Sequence, residues 1–207
     1  MTPSNPIPAI HRSASQARAA PRLGGRGALW LWLLLAVLAG LATAPARAAE
    51  PPEMTAFELS HDEEGVSLSY ALNFELSRSV EDALNKGVPL YFLAEAEVFR
   101  ERWYWRDKRV AHATRLWRIV FQPLTSSYRV TFGGLNQTYG SQAEALAAMR
   151  RAVRWKVAEA GQIDAGKGHY VEFSFRLDTT LLPRPMQIGI SGQPDWSLSV
   201  ERTQRFN

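Results

Sequence analysis

Two carboxylates at alternate positions, Glu95 and Glu97, are the first residues in this chain whose spacing suggests chemistry. On an extended strand they project from one face about 7 Å apart, within reach of shared acid/base work on a glycoside. The plainer reading is an ordinary solvent face, where alternating carboxylates give solubility and protect strand edges. The four histidines (His11, His61, His112 and His169) are far apart in sequence and form no H-E-x-x-H or similar zinc spacing, so the expected metal set is none. Gly189-Ile190-Ser191-Gly192 is one residue short of a nucleophile elbow, and the absence of cysteine excludes a thiol nucleophile. Asp62-Glu63-Glu64 lacks the spaced oxygen ligands of a calcium loop. No cofactor motif is present and no catalytic residue is assigned.

A second constellation concerns binding. Arg100-Glu101-Arg102-Trp103-Tyr104-Trp105-Arg106-Asp107-Lys108-Arg109 interleaves cations with aromatics. If extended, it turns Trp103 and Trp105 to one face, toward the core, and Arg100, Arg102, Tyr104 and Arg106 to the other. Charge is segregated around it: residues 50–97 hold 11 acids and 2 bases, residues 98–129 hold 8 bases and 2 acids. One reading has neighbouring strands neutralising each other across a sheet. The other makes Arg100, Arg102, Tyr104, Arg106, Lys108 and Arg109 a surface for an envelope protein partner or an anionic envelope surface.

These residues need a scaffold, and the scaffold begins with a leader. Residues 1–27 are rich in Pro, Ser, Ala and Arg, and residues 28–41 are an unbroken run of apolar residues and glycine. Small residues at Ala46 and Ala48 complete an A-x-A site with cleavage after Ala48, so residues 1–48 read as a signal peptide. No Arg-Arg pair precedes the apolar run, which favours the general secretory route and a periplasmic location. An uncleaved leader would instead anchor the chain in the inner membrane through residues 28–46. All five arginines before Ala49 fall in this segment, which has no acids, so the formal charge of +4 reduces to 19 basic against 20 acidic side chains. That balance, with export, removes nucleic acid as a partner.

Residues 49–56 read as an extended lead-in and 57–207 as a single globular domain, large enough to stand on an apolar core without disulfides. Val66, Leu68, Tyr70, Leu72, Phe74 and Leu76 alternate with small or polar residues and predict a long strand, with Gly65 in the preceding hairpin turn. Ser79 as N-cap and Gly87 beyond the last turn predict one short helix. Leu90 to Val98 is apolar at even positions and the set turns odd from Phe99, which predicts a bulge between Val98 and Arg102. Strands follow over 110–122 and 127–132. Ser141 and Glu144 form a capping box for one long helix, with Leu146, Met149, Val153 and Val157 on its inner face and its end near Gly161. Val171–Leu177, Met186–Ile190 and Trp196–Val200 are the remaining predicted strands. The fold class is α+β: a mainly antiparallel β-sheet, with a sandwich among the arrangements that fit, one short helix and one long helix.

The order of Leu84-Asn85-Lys86-Gly87-Val88-Pro89-Leu90, Arg102-Trp103-Tyr104-Trp105 with Asp107, Pro123-Leu124-Thr125 before Tyr128-Arg129-Val130, and Leu177-Asp178 leading to Leu182-Pro183-Arg184-Pro185 and Asp195-Trp196 resembles the bacterial domain-of-unknown-function family 4390. Members often carry the descriptive label "proline-rich signal peptide protein", and the resemblance implies export. The resemblance implies an envelope or signalling association and brings no catalytic residue with it. Three functions are therefore expected to compete: a non-enzymatic binding or adaptor module, a carbohydrate-acting envelope hydrolase using Glu95 and Glu97, and a small outer-membrane barrel.

Overall fold

The computed structural model describes residues 51–206 apart from 105 and 191. The expected leader over residues 1–48, Trp105 and Ser191 lie outside the described residues. The described residues fall in one compact unit. It contains two antiparallel sheets: β1 (Glu53–Asp62), β2 (Gly65–Asn73) and β7 (Arg151–Glu159) in the order β1-β2-β7, and β3 (Leu90–Arg100), β4 (Lys108–Gln122), β5 (Ser127–Phe132), β6 (Leu135–Tyr139), β8 (His169–Leu177) and β9 (Ser199–Phe206) in the order β6-β5-β4-β3-β8-β9. Among the described residues, α1 (Arg78–Asn85) and α2 (Gln142–Arg150) connect the two sheets, and α3 (Arg184–Ile190) lies between β8 and β9 of the larger one.

Alternation builds the core. The even positions of β2, those of β3 from Leu90 to Val98 and the odd positions of β8 from Val171 to Leu177 are buried, and their side chains form one apolar cluster between the sheets. Phe173 of the larger sheet meets Phe57 and Tyr70 of the smaller one at ring-centroid distances of 5.6 and 4.8 Å. Phe74, just beyond β2, meets Phe92 and Phe175 at 5.7 and 5.4 Å. This sandwich makes the α+β reading concrete. The turn between β1 and β2 uses the Asp62 carboxylate as acceptor for the Glu64 N–H at 2.9 Å. The turn between β5 and β6 is Gly133-Gly134, both at positive φ (55° and 82°), the two-residue hairpin geometry that favours glycine. The slip expected after Val98 is present as a register shift between Val98 and Phe99 against β4.

Several local expectations are corrected. The long helix stops at Arg150, and residues 151–159 form β7. Leu146 and Met149 are buried on the helix, whereas Val153 is 68% exposed and Val157 is buried from a strand. The open edge of β2 needs backbone partners, and Val153, Trp155 and Val157 suit a strand, so long-range pairing overrides the helical spacing. Arg154 takes a left-handed φ of 47° with its N–H on Ser69 Oγ at 3.1 Å, which lets the register shift within this pair. Residues 186–190 belong to α3, not to a strand: Pro183 carbonyl accepts the N–H of Met186 at 2.9 Å, and Pro185 at the helix start needs no N–H partner. Trp196 sits in a 3₁₀ turn, Pro194–Trp196, and the last strand runs from Ser199 to Phe206. β6 had no apolar alternation to announce it, and β1 begins at Glu53, inside the expected lead-in. The N-cap of α1 is Ser77, whose Oγ accepts the Val80 N–H at 3.3 Å; Ser79 Oγ instead donates to Asp195 at 2.6 Å.

Candidate functional site

β3 is flanked by β4 and β8, so its outward side chains meet groups from both neighbours. Glu95 and Glu97 share the outer face, opposite buried Ala94, Ala96 and Val98. Glu95 accepts from Arg176 of β8 at 3.0 Å and lies 2.7 Å from His112 Nε2 of β4. Glu97 is ion-paired with Arg109. The hydrogen bond with His112, helped by Arg176 and opposed by partial burial, holds the Glu95 carboxyl below its ordinary value. A glycosidase acid needs the opposite, a carboxyl kept protonated. The ligand atoms of Glu95, Glu97 and His112 lie within 4.8 Å of one another. Two guanidinium groups already neutralise that set, leaving little attraction for a metal cation. Neutralisation between neighbouring strands thus accounts for part of the charge segregation, with Arg176 recruited from outside the basic segment.

The basic stretch is not an extended strand. β3 ends at Arg100 and β4 begins at Lys108. Trp103, expected in the core, is 93% exposed and meets the exposed ring of Tyr104 edge to face at 4.8 Å. The loop is tied down by backbone and carboxylate contacts that period-two reasoning ignores. Glu101 N–H donates to Gly168 carbonyl at 2.9 Å, and Arg102 N–H donates to Asp107 at 2.9 Å. The six expected surface residues accordingly separate. Arg100 is ion-paired with Asp164 and Arg109 with Glu97, while Tyr104, Arg106 and Lys108 face solvent and Arg102 is half-buried.

Beside this loop lies a groove of about 1040 Å³, lined by Arg102, Trp103 and Asp107 of the loop and by Lys167, Tyr170 and Arg205. Tyr170 donates to Asp107 at 3.0 Å and stacks on Phe99 at 5.2 Å. Burial, then the Asp107 hydrogen bond, pushes its hydroxyl up to about 12. Arg205 Nε donates to Glu101 at 2.7 Å. Lys167, Tyr170, Glu172 and Arg205 were not singled out from the sequence. Outward positions of β8 were readable from the burial of Val171 and Phe173, but only the strand order β3-β8-β9 brings them beside residue 102. His61 and His169 both pack on Phe206, at 5.7 Å each, and His169 is 1% exposed with Nδ1 2.8 Å from Lys167 carbonyl.

A family model described as Domain of unknown function (DUF4390) matches residues 49–206. No curated protein and no solved structure matches the chain.

Proposed function

Since the chain belongs to the DUF4390 family, which brings no chemistry with it, we propose from the site itself that it is an exported, non-enzymatic binding or adaptor module of the cell envelope, taking a protein partner in the groove beside β8. One observation carries this reading. The acid/base constellation is neutralised internally, whereas the groove side chains Lys167 and Glu172 have no side-chain partner among the described residues. A groove with both charge signs and a flanking tryptophan suits a protein surface of mixed charge. The hydrolase alternative is weakened, because Glu95 is held as carboxylate and Glu97, the carboxyl left to serve as acid, is ion-paired with Arg109. The barrel alternative fits poorly with apolar alternation turned into a shared core. Export rests on the leader pattern.

A photocrosslinking amino acid in place of Thr203 on the groove wall, compared with one in place of Leu124 on a distant hairpin, tests the reading in intact cells. One discrete protein adduct is expected from position 203 and none from 124, lost in a Lys167→Glu/Glu172→Lys background. No adduct at 203 overturns the groove. N-terminal sequencing of the periplasmic form should begin at Ala49; recovery of the chain only from the cytoplasm removes export.

A further inference from the structure

We infer that the loop between β3 and β4, whose inner side forms one wall of the groove, docks by its exposed tip on the surface of an anionic phospholipid bilayer. The loop exposes two large aromatics side by side, Trp103 at 93% and Tyr104 at 69%. Exposed rings of this size are unusual on a water-facing loop, and Trp and Tyr are the residues whose amphipathic rings settle at headgroup level. The cations around them divide into two groups. Arg100 and Arg109 are held by Asp164 and Glu97. Arg102, Arg106 and Lys108 have no carboxylate partner among the described residues.

The two acids of the loop do not offset these three charges by pairing with them. Glu101 is engaged by Arg205, and Asp107 accepts the Arg102 backbone N–H and the Tyr170 hydroxyl. The loop therefore presents two exposed rings with three available cations within a few residues of them along the chain, which complements phosphate headgroups and needs no matching pocket. A protein partner would have to bury both rings in a shaped cavity, whereas the interfacial layer accepts them without shape complementarity. Each available cation contributes about fivefold to partition onto an anionic surface at low salt, so three together contribute about a hundredfold. High salt weakens this. The far wall of the groove takes no part, so failure here leaves the groove reading standing.

The absence of cysteine makes the test clean. The full chain carrying Tyr104→Cys, labelled with an environment-sensitive fluorophore, is mixed with vesicles of phosphatidylcholine alone or with 30% phosphatidylglycerol (about 30%, enough for a strong surface potential). A blue-shifted emission is expected only with the anionic vesicles, and none for the same label at Leu124→Cys. Arg102→Glu/Arg106→Glu/Lys108→Glu should abolish the shift while leaving the thermal unfolding curve in place. Equal responses to both vesicles, equal responses at both positions, or no response at 104 overturns the inference. A shift produced by polyglutamate but not by the anionic vesicles also overturns it, and marks the loop as protein-facing.

Discussion

Tyr70 carries its hydroxyl into the space between the sheets, where no acceptor among the described residues meets it. Its ring packs on Phe173 and Trp155, and burial raises its pKa far above that of a free phenol, with the charge of Arg115 opposing. An unmet buried donor costs stability, so Tyr70→Phe should leave the urea midpoint unchanged or raise stability by up to about 1 kcal/mol. A clear loss would reveal a partner for the hydroxyl. Glu95 behaves in the opposite sense. Its folded pKa lies below the ordinary value, so its contribution is full above the ordinary glutamate range and fades as pH falls through the folded value. His112 and Arg176 are each substantially exposed, and solvent screening reduces the effect. Glu95→Gln is therefore expected to cost about 0.5–1 kcal/mol near neutral pH. Chemical denaturation across pH should show that gap closing in acid; a gap that widens would refute the assignment.

The tight turn at Gly65 is a constraint of elements, because β7 passes directly over it. Its φ is +124°, and an added Cβ would fall 2.2 Å from Ala158 carbonyl oxygen. Backbone cannot yield as a flexible side chain can, so Gly65→Ala should cost more than about 3 kcal/mol, combining strain with a broken β2–β7 pairing. Gly134→Ala meets nothing within 4 Å and carries only the cost of positive φ, about 1 kcal/mol. Comparing the two melting temperatures checks this; similar losses would mean that the β7 approach is not tight. The same β7 explains the misread helix. Leu146, Met149, Val153 and Val157 have helical spacing, yet the last two lie beyond Arg150 in a strand whose partner, β2, pairs it from Gly65↔Glu159 to Ala71↔Arg151, far earlier in the chain. A window of a dozen residues contains no trace of that partner. β6 and β9 were hard to read for a related reason: as edge strands they carry polar side chains on both faces, so no alternation marks them.

Across the whole molecule, one aromatic layer joins two sheets that share no strand. Phe173 lies at its centre, between Phe57 and Tyr70. Phe173→Ala should cost about 3–5 kcal/mol. Against a typical domain stability of about 5–15 kcal/mol, that is enough to lower the melting temperature steeply. Calorimetry should show a single transition displaced as a unit; loss of one sheet while the other persists would contradict a shared core. By itself, the sequence determined what depends on neighbours along the chain: the leader pattern, the alternation of β2, β3 and β8, the slip after Val98 and the separation of acidic from basic segments. Period and composition are local properties, so they survive without coordinates. Tertiary structure decided what depends on neighbours across the chain. It spent Glu95 and Glu97 on His112, Arg176 and Arg109, turned Trp103 outward, and set β8 and β9 beside residue 102 to form the groove. Ion pairs, burial and concavity arise from strand order and register, and those follow from backbone pairing between segments far apart in sequence.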